Sequence, residues 1–188
     1  MFISVLDLEK EPLRFDVALK PGAIDFGAEV SQKGPLAVQG QADLIEEKRM
    51  GEARGSLRTV EDIRLRGSYE GEFEIPCARC LEPVAQTLKG EFDLLFRPLG
   101  ADASSSERSI TTPETEIGYY QNSGLALEDA VREQVFLSLP ARSLCGEDCK
   151  GICPRCGKNL NSESCTCDTA PADPRWSALS DLASRMKT

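Results

Sequence analysis

The chain has 188 residues, of which 40% are hydrophobic and 28% charged, and its formal net charge is −9. This balance is typical of a globular protein with one domain and a small appendage, and the acidic charge disfavours nonspecific binding to a nucleic-acid backbone. The sequence has no histidine, which removes the usual general base, and no apolar run approaches the roughly 20 residues that span a bilayer.

The first segment, MFISVLDLEKEP, has no basic residue before its apolar residues and places Asp7 and Glu9 among them. These features are not typical of a signal peptide. We therefore expect a cytoplasmic protein that works in a reducing compartment and has no association with a membrane.

Apolar and polar side chains alternate through much of the first hundred residues, and a period of two predicts strands with one buried face. An antiparallel sheet or a partly open β-barrel is therefore expected. The two longest runs flank a CxxC pair, which places that pair at the tip of a hairpin. The predicted strands cover residues 13–19, 24–30, 36–44, 63–75 and 84–96.

Helix signals begin after a segment without periodicity. Residues 99–122 are rich in Ser, Thr and acidic groups, which predicts a mobile loop or linker. Residues 123–140 carry an apolar stripe, with Asn122 and Ser123 as candidate N-caps and Pro140 at the end. We expect this amphipathic helix to pack on the sheet.

Six of the eight cysteines lie between Leu144 and Asp168, and the other two form the upstream CxxC pair. Thiolates are soft ligands that hold zinc in a tetrahedron. Pro154 and Gly157 suit the tight turn that lets two sulfur atoms of a CxxC pair reach one ion. In a reducing compartment the cysteine pattern favours metal binding over disulfides.

Spacing divides the cysteines into two sets of four. Site 1 is a compact CxxC-x8-CxC unit, whereas site 2 would attach the hairpin tip to the segment that leaves the helix, and closing so long a loop stabilises the fold. We predict one or two structural zinc ions. The ligands would be Cys153, Cys156, Cys165 and Cys167 at site 1, and Cys77, Cys80, Cys145 and Cys149 at site 2.

Other uses of these cysteines remain open from spacing alone. One ion could bind at site 1 with Cys77 and Cys80 as free thiols, or Cys149 could join site 1. A redox role for the upstream pair is less favoured because no βαβ context surrounds it. Catalytic zinc usually keeps one position open, and no HxE…PCxxC deaminase pattern is present. We therefore expect no enzymatic activity and no small-molecule substrate.

These patterns together predict an α+β fold in four parts. Residues 1–98 form a β-rich body, 99–122 a mobile loop, and 123–140 a helix on the sheet. Residues 141–188 form a zinc knuckle module that ends in a helix beginning at Asp173. Trp176, within that helix, is better explained as a packing anchor than as a base-stacking residue.

Charge is distributed unevenly, and this bears on partners. Residues 1–140 carry 15 basic and 25 acidic groups, whereas residues 141–188 carry 7 and 6. The acidic body suits a basic partner such as a ribosomal protein, although solubility alone would also explain it. The basic groups of the knuckle suit RNA phosphates, or they offset thiolate charge through solvent. The candidate RNA or partner contacts are Lys150, Arg155, Lys158, Asn159 and Asn161.

Four segments occur in the order and form of one known family. The chain resembles the YceD-like family, the bacterial large ribosomal RNA subunit accumulation proteins, over about its C-terminal two-thirds. The long CxxxCKGxCPxCGxNLN pattern makes this resemblance specific. The segments are CARCLEPV at 77–84, LEDAVREQVFLSLP at 127–140, CGEDCKGICPRCGKNLN at 145–161 and DPRWSALSDL at 173–182.

The resemblance implies a cytoplasmic, non-enzymatic factor needed for large-subunit (23S) ribosomal RNA to accumulate, through ribosome assembly or rRNA processing. Its partners would be the rRNA precursor, basic ribosomal proteins, or both. The alternative is a zinc-stabilised protein–protein interaction module unrelated to the ribosome. The positions that match the family motif are the eight cysteines with Lys150, Gly151, Pro154, Gly157, Asn159 and Asn161.

Overall fold

A computed structural model of the chain describes residues 1–50, 57–101, 115–167 and 182. Within these residues the protein is mostly β-sheet with few helices. In chain order the elements are β1 (Phe2–Ser4), α1 (Val5–Leu8), β2 (Leu13–Leu19), β3 (Ser31–Gln32), β4 (Leu36–Met50), β5 (Leu57–Pro76), β6 (Pro83–Pro98), β7 (Ile117–Tyr120), β8 (Gly124–Ala126) and α2 (Leu127–Leu137).

The main sheet has the strand order β2-β4-β5-β6-β7, and β3 pairs with β5 beside this path. The strands β2 to β6 pair antiparallel, as the alternation predicts. The pairing of β6 with β7 is parallel instead, and a parallel pair needs a crossover connection that alternation cannot reveal. Among the described strands, the edges β2 and β7 do not pair with each other, so the sheet is open.

One face of the sheet forms the core with α2. Apolar residues at alternate positions of the long strands are buried there, Val38, Leu65 and Phe92 among them. The hydroxyl of Tyr69 donates to the carbonyl oxygen of Gln134 in α2 at 2.9 Å, which fixes the helix over the sheet. The predicted runs 13–19, 36–44, 63–75 and 84–96 lie within β2, β4, β5 and β6.

The predicted strand over residues 24–30 is wrong. Residues 21–30 form turns and irregular backbone. Gly27, within the predicted run, has a φ of +76°, which lies outside the range of regular strands. Ile24, Phe26 and Val30 are buried nonetheless, whereas Ala28 is exposed. The ring of Phe26 meets that of Phe73 edge-on at 5.2 Å. In residues 24–30 the alternation of apolar residues therefore reflects which side chains are buried and does not indicate a strand.

The predicted helix over residues 123–140 is too long at both ends. Asn122 and Ser123 do not cap it: their φ values of 54° and 59° place them in a turn. The next three residues form β8, which pairs with β1 in a separate two-stranded sheet. The helix begins at Leu127, whose N–H donates to the carbonyl oxygen of Met1, and ends at Leu137.

Some sequence predictions fall outside the described residues. The segment predicted as a loop contains β7 at its end, but residues 102–114 are not described. The C-terminal helix with Trp176 also lies outside, apart from residue 182. No helix among the described residues is both long enough and apolar enough to cross a membrane.

Candidate metal centres

Four cysteines meet where the β5–β6 hairpin contacts the segment after α2, and we name this set the hairpin cluster: Cys77, Cys80, Cys145 and Cys149. All four sulfur atoms lie within 4.8 Å of one another. The Sγ atoms of Cys77 and Cys149 are 3.8 Å apart, and those of Cys80 and Cys145 are 3.5 Å apart. Cys77, Cys80 and Cys149 are buried, whereas Cys145 is exposed, so the cluster lies at the edge of the folded interior.

A second set of four lies in the loop that follows, and we name it the loop cluster: Cys153, Cys156, Cys165 and Cys167. Its sulfur atoms also lie within 4.8 Å of one another, with 3.5 Å between Cys165 and Cys153. Cys153 is buried whereas Cys156 is exposed. The structure thus brings together the same two sets that the spacing predicts, with Cys149 in the hairpin cluster, while metal binding itself stays a prediction.

The sulfur separations fit a tetrahedral ion and not disulfides. With Zn–S bonds near 2.3 Å, neighbouring sulfurs in a tetrahedron lie about 3.8 Å apart, whereas a disulfide bond is about 2.05 Å long. The separations of 3.5 Å and 3.8 Å match the tetrahedron. A set of four soft sulfur donors suits zinc among the common metal ions.

The two CxxC turns have the same backbone hydrogen bonds. In each turn the N–H of the first cysteine donates to the carbonyl oxygen five residues later, and its own carbonyl accepts the N–H four residues later. The residue after the second cysteine has positive φ, 63° at Leu81 and 74° at Gly157. The hydrogen bonds are Cys77–Glu82 and Cys153–Lys158 at 2.8 Å, Leu81–Cys77 at 3.0 Å and Gly157–Cys153 at 2.9 Å.

The shared geometry predicts opposite effects for exchanges at the two positive-φ positions. Leu81→Gly should preserve stability or raise it, because a left-handed backbone costs a non-glycine residue about 1–2 kcal/mol and the Leu81 side chain is 64% exposed. Gly157→Ala should lower the free energy of unfolding by about 1 kcal/mol for the same reason. Urea denaturation of the zinc-loaded protein measures both, and equal shifts for the two variants would contradict the shared turn.

Hydrogen bonds to sulfur separate the acidities of the thiols in the hairpin cluster. The backbone N–H of Arg79 and then that of Cys80 lower the pKa of Cys77 to about 6, because such donors stabilise the thiolate. Hydrogen bonds with the thiols of Cys80 and then Cys149 raise the pKa of Cys145 to about 12. An ion that binds all four sulfurs must displace the protons that this arrangement retains.

The loop cluster repeats this division. The backbone N–H of Cys156 and then that of Arg155 lower the pKa of Cys153 to about 6. A hydrogen bond with the thiol of Cys156 raises the pKa of Cys167 to about 12. Each cluster therefore has at least one thiol whose lowered pKa favours the anionic form that binds a metal ion.

Arg79, inside the first CxxC turn, attaches the hairpin to the segment that leads into the loop cluster, and this role was not predicted from sequence. Its Nη1 donates to the carbonyl oxygens of Glu147 at 3.1 Å and Cys149 at 2.8 Å. Its own carbonyl oxygen accepts the N–H of Ile152 at 3.1 Å. The only sequence signal for this role is a positive residue between two cysteines. That signal does not indicate which backbone groups the arginine contacts.

The predicted partner contacts divide into three charged residues and two asparagines. Lys150, Arg155 and Lys158 are exposed, and Nζ of Lys158 lies 3.5 Å from a carboxylate oxygen of Glu163. The side chains of both asparagines form hydrogen bonds within the protein. Asn159 donates to Glu82 at 3.3 Å, and Asn161 donates to Cys149 and accepts from Lys150. Contact of these five residues with RNA or a partner stays a prediction.

An open β-sheet whose hairpin tip supplies half of a four-cysteine cluster, followed by a second such cluster, defines a β-protein with two candidate metal centres. Residues 65–183, which contain all eight cysteines, match the family described as Large ribosomal RNA subunit accumulation protein YceD. The chain belongs to this family, and the identification made from the four sequence segments is confirmed.

Similar proteins occur in mycobacteria and plants. An uncharacterised protein of Mycobacterium tuberculosis is 36% identical over 65% of this chain and 56% of its own length. One from Mycobacterium leprae is 29% identical over 65% of this chain and 54% of its own. A third relative, from Arabidopsis thaliana, is named Large ribosomal RNA subunit accumulation protein YCED homolog 1, chloroplastic. It is 23% identical over 70% of this chain and 47% of its own length. The chain thus spans about half the length of these relatives, and no solved structure matches it.

Proposed function

We propose that this chain is a non-enzymatic ribosome-assembly factor that supports the accumulation or processing of large-subunit ribosomal RNA in the cytoplasm. The observation that carries the proposal is the family match over residues 65–183, a range that includes both four-cysteine clusters. The name of the Arabidopsis relative refers to the same large-subunit RNA. In this proposal the protein has an α+β fold, and its zinc knuckles present the surface that contacts the assembling particle.

Structural zinc in both clusters is part of this proposal. Four thiolates close the coordination sphere, so an ion bound there keeps no open position for a substrate. The hairpin cluster joins the end of the β5–β6 hairpin to the segment after α2, and an ion would fix these segments to each other. Such an ion supplies folding free energy and leaves recognition to the surrounding surface.

Two surfaces of opposite charge would make the contacts. The exposed positive side chains Lys150, Arg155 and Lys158 surround the second CxxC turn, where they can approach RNA phosphates. The body carries the excess of acidic groups and suits a basic ribosomal protein. The side chains of the asparagines form hydrogen bonds within the chain, to Glu82 and to Cys149, so their contribution is to hold the loop that carries the basic residues.

Gradient sedimentation of the tagged full chain from growing cells, at low and moderate salt, tests the proposal. Co-migration with immature large-subunit particles that contain rRNA precursor is the expected result, and RNase should release the protein. A protein that stays at the top of the gradient in both salts would contradict particle binding. RNase-resistant capture of a single protein partner would instead support the interaction-module alternative.

Charge reversal tests the RNA-facing surface separately. The triple variant Lys150→Glu, Arg155→Glu and Lys158→Glu should lose association with precursor particles, and the salt dependence should fall by about one unit of slope per lost phosphate contact. A matched control reverses Lys10, Lys20 and Lys89, which are exposed elsewhere on the protein. Equal loss in both triple variants would show that net charge, and not this surface, determines association.

A further inference from the structure

Asn161 lies in the loop of one cluster but contacts a cysteine of the other. It belongs to the segment between Cys156 and Cys165 of the loop cluster. Its Nδ2 donates to Sγ of Cys149, in the hairpin cluster, at 3.3 Å, and its Oδ1 accepts the backbone N–H of Lys150 at 2.8 Å. Because the N–H of Lys150 needs an acceptor, the amide oxygen faces the backbone and the amide nitrogen faces the sulfur.

Further hydrogen bonds hold Asn161 in this position. Its backbone N–H donates to Oδ1 of Asn159 at 3.0 Å, and Nδ2 of Asn159 donates to the carboxylate of Glu82, which follows the hairpin turn, at 3.3 Å. The N–H of Leu160, between the two asparagines, donates to the carbonyl oxygen of Gly151 at 2.8 Å. The middle of the loop is therefore attached to the hairpin cluster at several points.

A donor that contacts a ligand sulfur orients the ligand and favours its anionic form, and such outer contacts typically change metal affinity 10- to 100-fold. The amide of Asn161 acts on Cys149 from a loop whose two ends carry the loop-cluster cysteines. An ion in the loop cluster closes that loop, because it joins the cysteines before and after Asn161. Binding at one cluster then favours binding at the other, and linkage makes the effect reciprocal.

We infer that Asn161 is a positioning residue that couples the two clusters, so that an ion in either one strengthens binding of an ion in the other. The inference rests on the proposed occupation of both clusters by zinc. It goes beyond that proposal because two structural ions could equally bind independently.

Cadmium-113 NMR of the full chain, titrated against a competing chelator, gives one resonance per occupied cluster and thus the affinity of each. Asn161→Ala should lower the cadmium affinity of the hairpin cluster about 10- to 100-fold. Asn161→Asp keeps the acceptor for the N–H of Lys150 but removes the donor to Cys149. It should therefore show the same loss and a shifted hairpin-cluster resonance. Ser164→Ala, an exposed change in the same loop, should alter neither.

An Asn161→Asp variant with unchanged affinity and resonance would overturn the inference, since the amide would then act only through the backbone of Lys150. A double-mutant cycle supplies the second test. The double variant Cys165→Ser with Cys167→Ser removes two ligands of the loop cluster. It should lower the cadmium affinity of the hairpin cluster by the same factor as Asn161→Ala does, and combining all three changes should lower that affinity little further. If the combined variant instead loses affinity by the product of the two separate factors, the inference would also be overturned. Absence of metal binding at both clusters of the unaltered chain would instead refute the proposed zinc sites.

Discussion

Cys77→Ser is expected to lower the free energy of unfolding of the zinc-loaded protein by about 4 kcal/mol or more, the range typical of a lost structural metal. The Cys77 side chain is fully buried, and its sulfur accepts the N–H groups of Arg79 and Cys145, each at 3.5 Å. A serine oxygen is a harder donor than a thiolate, and its bond to the metal is shorter. It would not replace the Zn–S bond for which the positions of the four sulfur atoms are suited. The junction between the hairpin and the segment after α2 would then open.

Urea denaturation with zinc and again with a strong chelator separates the metal contribution from packing. Without the ion, Cys77→Ser and the unaltered chain should differ only by the cost of burying a hydroxyl in place of a thiol, about 1–3 kcal/mol. Cys156→Ser, at an exposed position of the loop cluster, should destabilise the sheet less. If the difference between Cys77→Ser and the unaltered chain is as large in chelator as with zinc, the effect comes from packing, which would contradict a metal in the hairpin cluster.

The long strands and the division of the cysteines follow from the sequence because both depend on local spacing. Alternation over residues 63–75 and 84–96 places β5 and β6, and the turn between them places Cys77 and Cys80 at a hairpin tip. Eight residues separate the close pair Cys153 and Cys156 from the close pair Cys165 and Cys167, so a compact loop is the simplest way to bring four ligands together. The structure gathers the sulfur atoms in this arrangement.

Features that depend on distant contacts could not be predicted in this way. The short strands β1, β7 and β8 have too few residues to show a period, and β8 occupies positions that the helical pattern also fits. The engagement of Asn161 with Cys149 requires the loop to fold back onto the hairpin. Burial of a polar residue is likewise invisible to alternation: Asp62 and Arg97 occupy the polar positions of β5 and β6, yet only 2% of each is exposed.

The pairing of Asp62 with Arg97 predicts the largest effect outside the cysteines. Nε and Nη2 of Arg97 donate to the two carboxylate oxygens of Asp62 at 3.0 Å and 2.6 Å, and Nη2 also donates to Glu47 at 3.1 Å. Arg97→Met would leave the carboxylate of Asp62 buried without this partner, and such a change typically costs about 3–5 kcal/mol. Glu47 is 46% exposed and contributes less, because water can replace its partner.

A second bidentate pair between the same two strands supplies the control. Arg64 donates to Asp93 at 2.8 Å and 2.6 Å, but 42% and 53% of these side chains are exposed. Arg64→Met should therefore cost less than about 1 kcal/mol in the same urea experiment. Asp62→Leu combined with Arg97→Met should recover most of the stability lost in Arg97→Met, because apolar side chains can replace a buried ion pair without leaving a charge behind. If the double variant is as unstable as Arg97→Met alone, the loss arises from the shape of the arginine side chain and not from the unpaired carboxylate.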